Sequence, residues 1–264
     1  MLAALTVCAQ DARDIVRKSV DLDQANWLRM KDYTWIATSK VRQLDGNGNV
    51  KSEKTNRWET VILYGEPFRR NLEKDGKPLS ADEQRKQQEK LDEKSARLAR
   101  ETPDQMAERQ AKLDRERQKE RDFLREIPDM YDFRIEREDR VEGHDVWVIS
   151  ANPKTGYKPR HSDAKPLLKI KGRLWIDKAE YQWVRLEAET IDTISFGLFL
   201  ARLYPGTKLL FEQTRVNDEV WLPKRELVRA SARLGLVKKL SMEEEVTWSN
   251  FRKFQADSKV VAVE

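Results

Sequence analysis

Chemistry in this 264-residue chain would have to begin at two histidines, one cysteine and a Ser-His-Asp run. His161, Ser162 and Asp163 stand side by side. Contiguous residues cannot form a relay, because a triad assembles from separated segments that aim their side chains at one point. His144 follows Gly143 in a turn composition, where an exposed histidine is common. Two histidines and one cysteine fall short of the four ligands of a structural zinc site. Asp45-Gly46-Asn47-Gly48 reads as a hairpin turn, with no helix behind it to offer its N-terminus to phosphate. Carboxylates are plentiful, but they fall on polar strand faces and on a charged helical stretch. The residues therefore predict a protein that is not an enzyme, with no catalytic residue, metal or cofactor.

Burial is the chemistry that remains. Of eight tryptophans, all but Trp27 fall in predicted strands: Trp35, Trp58, Trp147, Trp175, Trp183, Trp221 and Trp248. Large rings on successive strands of one sheet would line a concave surface. The run 194–203, ISFGLFLARL, is water-avoiding on both faces of a strand. The cavity residues expected on this basis are Trp35, Trp58, Trp147, Trp175, Phe196, Leu198 and Phe211. Charge supplies a second feature. Lys154, Lys158, Arg160, Lys165, Lys169, Lys171 and Arg173 are opposed by Asp163 alone, in a chain whose net charge is +5. One reading makes the last three the wet side of a strand. The other makes a basic rim, led by Lys154, Lys158, Arg160 and Lys165, that meets an anionic membrane surface.

The elements that must position these residues centre on 170–190. Two β-forming runs flank Asp177-Lys178-Ala179-Glu180, a hairpin composition. Ile170, Leu174 and Ile176 share one face; Lys171, Arg173 and Trp175 share the other. In the return run Val184, Leu186, Ala188 and Thr190 alternate with Trp183, Arg185, Glu187 and Glu189, as in an antiparallel sheet wet on one side. Residues 12–31 have helical spacing behind Asp11 as N-cap. Strands are expected from Tyr33 to Val41, from Trp58 to Tyr64, and from Pro67 to Glu73. Others follow on either side of Glu142-Gly143 and from Lys208 to Phe254. The expectation is an α+β fold: one large curved antiparallel sheet, an incomplete β-barrel, with an N-terminal helix.

Residues 80–127 are different material. Ser80-Ala81-Asp82-Glu83 and Thr102-Pro103-Asp104-Gln105 are capping boxes, so two helices form a hairpin. It carries thirteen Lys and Arg against thirteen Asp and Glu. A nucleic-acid arm would need a large positive excess, so none is expected to bind. The insertion is either a solvated spacer, a cover over the sheet, or an arm for an envelope protein partner. Residues 1–10 read as the remnant of an export signal, with 11–264 as a single domain. Leu5-Thr6-Val7-Cys8 also has the form of a lipobox, in which Cys8 would carry lipid. No run of eighteen or more apolar residues predicts a membrane-spanning helix.

Four stretches carry a resemblance: FEQTRVNDEVWLPK at 211–224, SNFRKF at 249–254, ETVILYGEPFRRNLEKDGKPLS at 59–80 and GRLWID at 172–177. Together they are similar to exported bacterial proteins of the outer-membrane lipoprotein-sorting type, the periplasmic lipoprotein carriers. That resemblance implies an incomplete barrel around a hydrophobic cavity, closed by helices, which accepts lipid or lipoprotein acyl chains in the periplasm. The chain departs from the carriers in its charged hairpin, where they have a short apolar lid. The alternative left open is an envelope sensor or interaction module, whose trough is a filled core and whose hairpin is the binding arm.

Overall fold

A computed structural model describes residues 11–196, 201–234 and 238–254. Helix α1 (Ala12–Met30) starts at Asp11, whose side chain accepts from the Arg13 amide. It is followed by β1 (Tyr33–Leu44), β2 (Val50–Leu63), β3 (Glu66–Lys74) and the two-residue β4 (Lys77–Pro78). The helical hairpin is α2 (Ala81–Leu98) and α3 (Pro103–Asp122), both opened by reciprocal capping boxes as expected. A 3-10 turn, Phe123–Glu126, and a single turn, α4 (Ile127–Met130), lead back to the sheet. There the chain forms β5 (Tyr131–Val141), β6 (His144–Pro153), β7 (Ile170–Asp177) and β8 (Trp183–Thr190). The last strands are β9 (Ile194–Phe196), β10 (Ala201–Leu203), β11 (Lys208–Val216), β12 (Val220–Leu234) and β13 (Lys238–Lys253).

All of these strands join one antiparallel sheet, in the order β4-β3-β2-β1-β13-β12-β11-β8-β7-β6-β5, with β9 and β10 off this path. Two meanders of successive hairpins, β1 to β4 and β5 to β8, are sewn together when β11 to β13 fill the gap between β8 and β1. The path ends at β4 and β5, which do not pair, so the sheet is curved but open. This is the α+β architecture read from the sequence.

Register sorts the side chains into two faces. One row crosses eight strands as Ser39, Val246, Glu226, Phe211, Leu186, Leu174, Ile149 and Ile135. The next row, one residue along and so on the opposite face, is Lys40, Glu245, Leu227, Leu210, Glu187, Arg173, Ser150 and Arg134. Helix α1 covers the first, inner face, where Ala12, Ile15 and Val16 pack on Ile149 and Ile176. The outer face is laced by cross-strand ion pairs. Arg42 reaches Glu53 at 2.7 Å and Glu243 at 2.9 Å, Arg225 reaches Glu245 at 2.8 Å, and Arg173 reaches Glu136 at 2.6 Å. Solvated pairs of this kind contribute at most about 1 kcal/mol each, so burial of the inner face carries the fold.

Two strand expectations need correction. Residues 194–203 do not form one strand: β9 and β10 pair with each other, Phe196 opposite Ala201, and residues 197–200 lie outside the described residues. In β8 the register shifts opposite Trp175 and Ile176, a β-bulge that reverses which side chains face inward. Trp183 therefore joins Leu186 and Ala188 on the inner face. Val184 goes to the outer one, where it packs with Val146, Val148, Trp175 and Trp221.

Candidate functional site

Between α1 and the inner face lies an apolar cavity of about 310 Å³. Its floor is the hairpin that dominates the sequence: Ile170, Leu174 and Ile176 from β7, Trp183, Leu186 and Ala188 from β8, and Leu209 from β11. Phe133 and Ala151 make one wall, and Phe123, Leu124 and Ile127, where α3 returns to the sheet, make another. The roof is one stripe of α1: Val16, Ser19, Val20 and Asp23. Part of the space exists because Gly172 stands in the floor, where a Cβ would lie 3.1 Å from the Glu187 carbonyl oxygen. A larger depression of about 700 Å³ lies over the outer rows, bordered by Lys171, Arg173, Glu187 and Glu189. Several of its charges are paired, Lys171 with Glu189 at 3.5 Å and Arg173 with Glu136.

Polar groups touch the cavity at its roof. Asp23, only 8% exposed, accepts from the Trp183 indole nitrogen at 3.1 Å and from the Arg121 guanidinium of α3. This carboxylate thus ties α1, the sheet and the helical hairpin together. The hairpin's other attachments are also polar. Gln118 accepts from Gln24 at 2.7 Å, and Lys31 reaches Asp114 at 2.5 Å. Glu66, at the β2–β3 turn, binds both Lys94 at 2.7 Å and Arg109 at 2.8 Å. The Lys94 and Arg109 cations outweigh the cost of its partial burial and hold the Glu66 carboxyl below its usual range. Gln87 exchanges two bonds with the Asn71 backbone of β3, which satisfies part of an edge strand.

The inner face also holds an acidic pair beyond the cavity floor. Glu226 lies directly across from Phe211 and Val246, and Glu244 lies across from Val228. Burial, with Glu244 adding to it, pushes the Glu226 carboxyl above its usual range. Glu244 accepts a hydrogen bond from Ser39 at 2.9 Å.

Of the seven residues expected to line a cavity, Trp35, Trp58, Trp147, Trp175 and Phe211 are not among the described residues of its wall. Trp35, Trp58, Trp147 and Phe211 do share the inner face. Trp35 packs beside Tyr33, Val220 and Leu222, and Trp58 is stacked by Arg69 at 3.8 Å. Trp147 meets Tyr181 at 5.3 Å, and Phe211 borders the cavity through Trp183, at 5.1 Å between ring centres. Trp175 stands on the outer face, buried in the cluster with Val184 and Trp221. Its neighbours Lys171 and Arg173 already place it there by parity. Phe196 ends β9, and its side chain, like the whole of Leu198, lies outside the described residues.

The basic residues come to one loop. Lys154 donates to the Asp129 carbonyl at 3.0 Å, and Arg160 reaches the Asp129 carboxylate at 3.3 Å. Lys158 and Lys165 are exposed. The buried Glu126 carboxylate fixes this loop by accepting from the Arg160 and His161 amides at 3.0 and 2.9 Å. His161 lies 3.6 Å from the same carboxylate, while His144 lies 3.2 Å from Asp177 at the other end of the sheet.

The real lining was partly legible: Ile170, Leu174, Ile176, Leu186 and Ala188 form the apolar face of the 170–190 hairpin. The α1 stripe and Phe123-Leu124 gave no signal of a shared void, since only tertiary packing brings them together.

No family model matches this chain, and no curated protein matches it significantly. Several solved structures align with it over most of its length at low similarity. A putative outer membrane lipoprotein-sorting protein domain from Vibrio parahaemolyticus is 14% identical, with 93% of this chain and 95% of that one covered and a TM-score of 0.37. A DUF1329 family protein from Desulfovibrio piger is also 14% identical, covering 94% and 95%, with a TM-score of 0.33. A LolA superfamily protein from Nitrosomonas europaea is 10% identical, covering 92% and 93%, with a TM-score of 0.31. Likenesses at this level assign no activity. The solved structures this chain is similar to thus include a putative outer membrane lipoprotein-sorting protein domain and a LolA superfamily protein.

Proposed function

We propose that this protein is an exported, non-enzymatic binding protein of the cell envelope that shelters an acyl chain of a lipid or lipoprotein beneath α1. The observation that carries this reading is the cavity between helix and sheet, walled almost wholly by apolar side chains. A cavity of about 310 Å³ lies at the low end of ligand sites, which span roughly 300 to 1,000 Å³. Each methylene transferred from water into such a space contributes about 0.8 kcal/mol, enough to hold a chain of moderate length yet release it to a membrane. Leu167, which touches the cavity, belongs to the loop that carries Lys154, Lys158, Arg160 and Lys165. Contact of that loop with anionic headgroups would bring the cavity to a lipid surface, each free cation adding about 1 kcal/mol.

Native mass spectrometry of gently purified protein should reveal an apolar adduct, and an environment-sensitive fluorescent probe should bind the emptied protein. Ala188→Trp, which plugs the floor, should weaken the probe at least about tenfold. Persistent absence of adduct, together with no probe binding, would sink the cargo reading. A second reading is favoured by the polar attachment of the helical hairpin: residues 80–127 serve as an arm for a protein partner. Removing only the outer part of the hairpin, residues 88–115, which leaves Phe123, Leu124 and Ile127 in the cavity wall, should then abolish partner binding while the apolar probe still binds.

A further inference from the structure

Asp129 sits where three parts of the molecule meet. It belongs to α4, the single turn whose Ile127 stands in the cavity wall. Its carboxylate accepts from Arg13, in the first turn of the roof helix α1, and Arg13 Nε also donates to the Pro128 carbonyl at 2.9 Å. From the basic loop, Arg160 reaches the same carboxylate at 3.3 Å, and Lys154 donates to the Asp129 carbonyl at 3.0 Å. The Arg13 guanidinium, with Arg160 and Arg17 adding to it, holds this carboxyl below its usual range. The cations it gathers stay within reach of solvent, the Arg13 side chain 43% exposed and that of Arg160 72%. Positive charge is in excess around them. Lys158 and Lys165 of the loop and Arg125 of the 3-10 turn are exposed and make no ion pair among the described residues. Of the acids on these segments, Asp11 caps α1, Asp14 pairs with Arg17 at 2.7 Å and Glu126 is buried on loop amides, which leaves Asp163. An anionic surface therefore meets free cations first. It then competes with Asp129 for Arg13 and Arg160, because a guanidinium forks onto phosphate as it does onto carboxylate.

We infer that Asp129 is a clasp opened by anionic lipid headgroups: their phosphates draw Arg13, Lys154 and Arg160 away from it, the first turn of α1 lifts from α4, and the apolar ligand exchanges with the membrane. This rests on the cargo reading above and adds the regulation of the same cavity. In solution the clasp stays shut and the chain stays sheltered. Only a surface bearing many anions takes several cations at once, whereas dissolved phosphate replaces one contact at a time. Coupling of this kind is reciprocal, so the empty protein binds anionic vesicles more tightly than the filled one.

The test loads the whole protein with a fluorescent apolar reporter and follows its loss to two kinds of vesicle, phosphatidylcholine alone and phosphatidylcholine mixed equally with phosphatidylglycerol. Loss to the anionic vesicles should be about threefold to tenfold faster at low salt, as expected for competition at one or two exposed ion pairs. Inorganic phosphate at matched ionic strength should not reproduce the effect. Asp129→Asn should release the reporter to neutral vesicles about as fast as the unaltered protein releases it to anionic ones, with little further gain from anionic lipid. Arg160→Ala, at an exposed position, serves should Asp129→Asn not fold, and it should speed loss to neutral vesicles about twofold or more. Equal loss to both vesicles, equal acceleration by dissolved phosphate, or folded variants that release no faster than the unaltered protein would each overturn this inference and leave the cargo reading standing. A reporter that never binds would overturn both.

Discussion

Asn26 shows how one side chain can seat a helix. It is 2% exposed near the end of α1, and its amide both donates to the Trp221 carbonyl and accepts from the Trp221 amide, each at 2.8 Å. That pair meets the backbone needs at the start of β12 and locks α1 over the inner face. Asn26→Ala would orphan two buried backbone groups and should cost about 3 kcal/mol, read as a lower urea midpoint at unchanged slope. Glu226 has the opposite effect. Its carboxyl is raised by burial and by Glu244, so the folded state holds its proton more tightly than the unfolded chain does. The stability this confers is present below the unfolded value near 4.5 and is lost as pH rises through the higher folded value. Glu226→Gln should therefore raise the melting temperature at neutral pH, with the gain shrinking as the medium is acidified below that window. A gain that is the same at all pH values would refute the electrostatic account.

Among the elements, the helical hairpin and the sheet are held by different forces. Strands bury apolar rows against α1, whereas α2 and α3 are docked through Asp23–Arg121, Lys31–Asp114, Glu66 with Lys94 and Arg109, and amide pairs. Exposed members of such a set are weakened when salt shortens the Debye length to about 3 Å at 1 M. Backbone amides of 81–122 should consequently exchange with deuterium faster at high salt, while those of β6, β7 and β8 should not respond. Exchange in the hairpin that ignores salt would mean that its apolar contacts, such as the buried Leu98, hold it instead. The capping boxes work more locally. Thr102→Ala should cost about 1 kcal/mol, felt mainly as fraying at the start of α3.

At the scale of the whole molecule, the curved open sheet explains why a cavity sits where it does. Thirteen strands form one layer whose inner face is too wide for a single helix to cover. Helix α1 seats firmly at Ile15 and Val16 against Ile149 and Ile176, and the floor curves away beneath Ser19 and Asp23 toward Leu186 and Leu209. The 3-10 turn and α4 close one end, using Phe123 and Ile127. Two faces with different chemistry result. One is apolar and sheltered, and the other is cross-linked by arginine–glutamate pairs except where Val146, Val148, Trp175, Val184 and Trp221 pack together.

Period-two alternation, turn compositions and capping boxes act over a few residues, so the sequence by itself determined the sheet-rich class, the place of α1 and both helices of the hairpin. The same alternation placed Lys171, Arg173 and Trp175 together, and the outer face received all three. Which face would be sheltered, and by what, was decided by tertiary structure. A single bulge in β8 reverses parity and trades Val184 for Trp183 on the inner side, and no local pattern announces that extra residue. Ser19 in the roof and Leu209 in the floor come to border one cavity only through the seat of α1 on strands far away in the chain, a matter of packing and not of local preference.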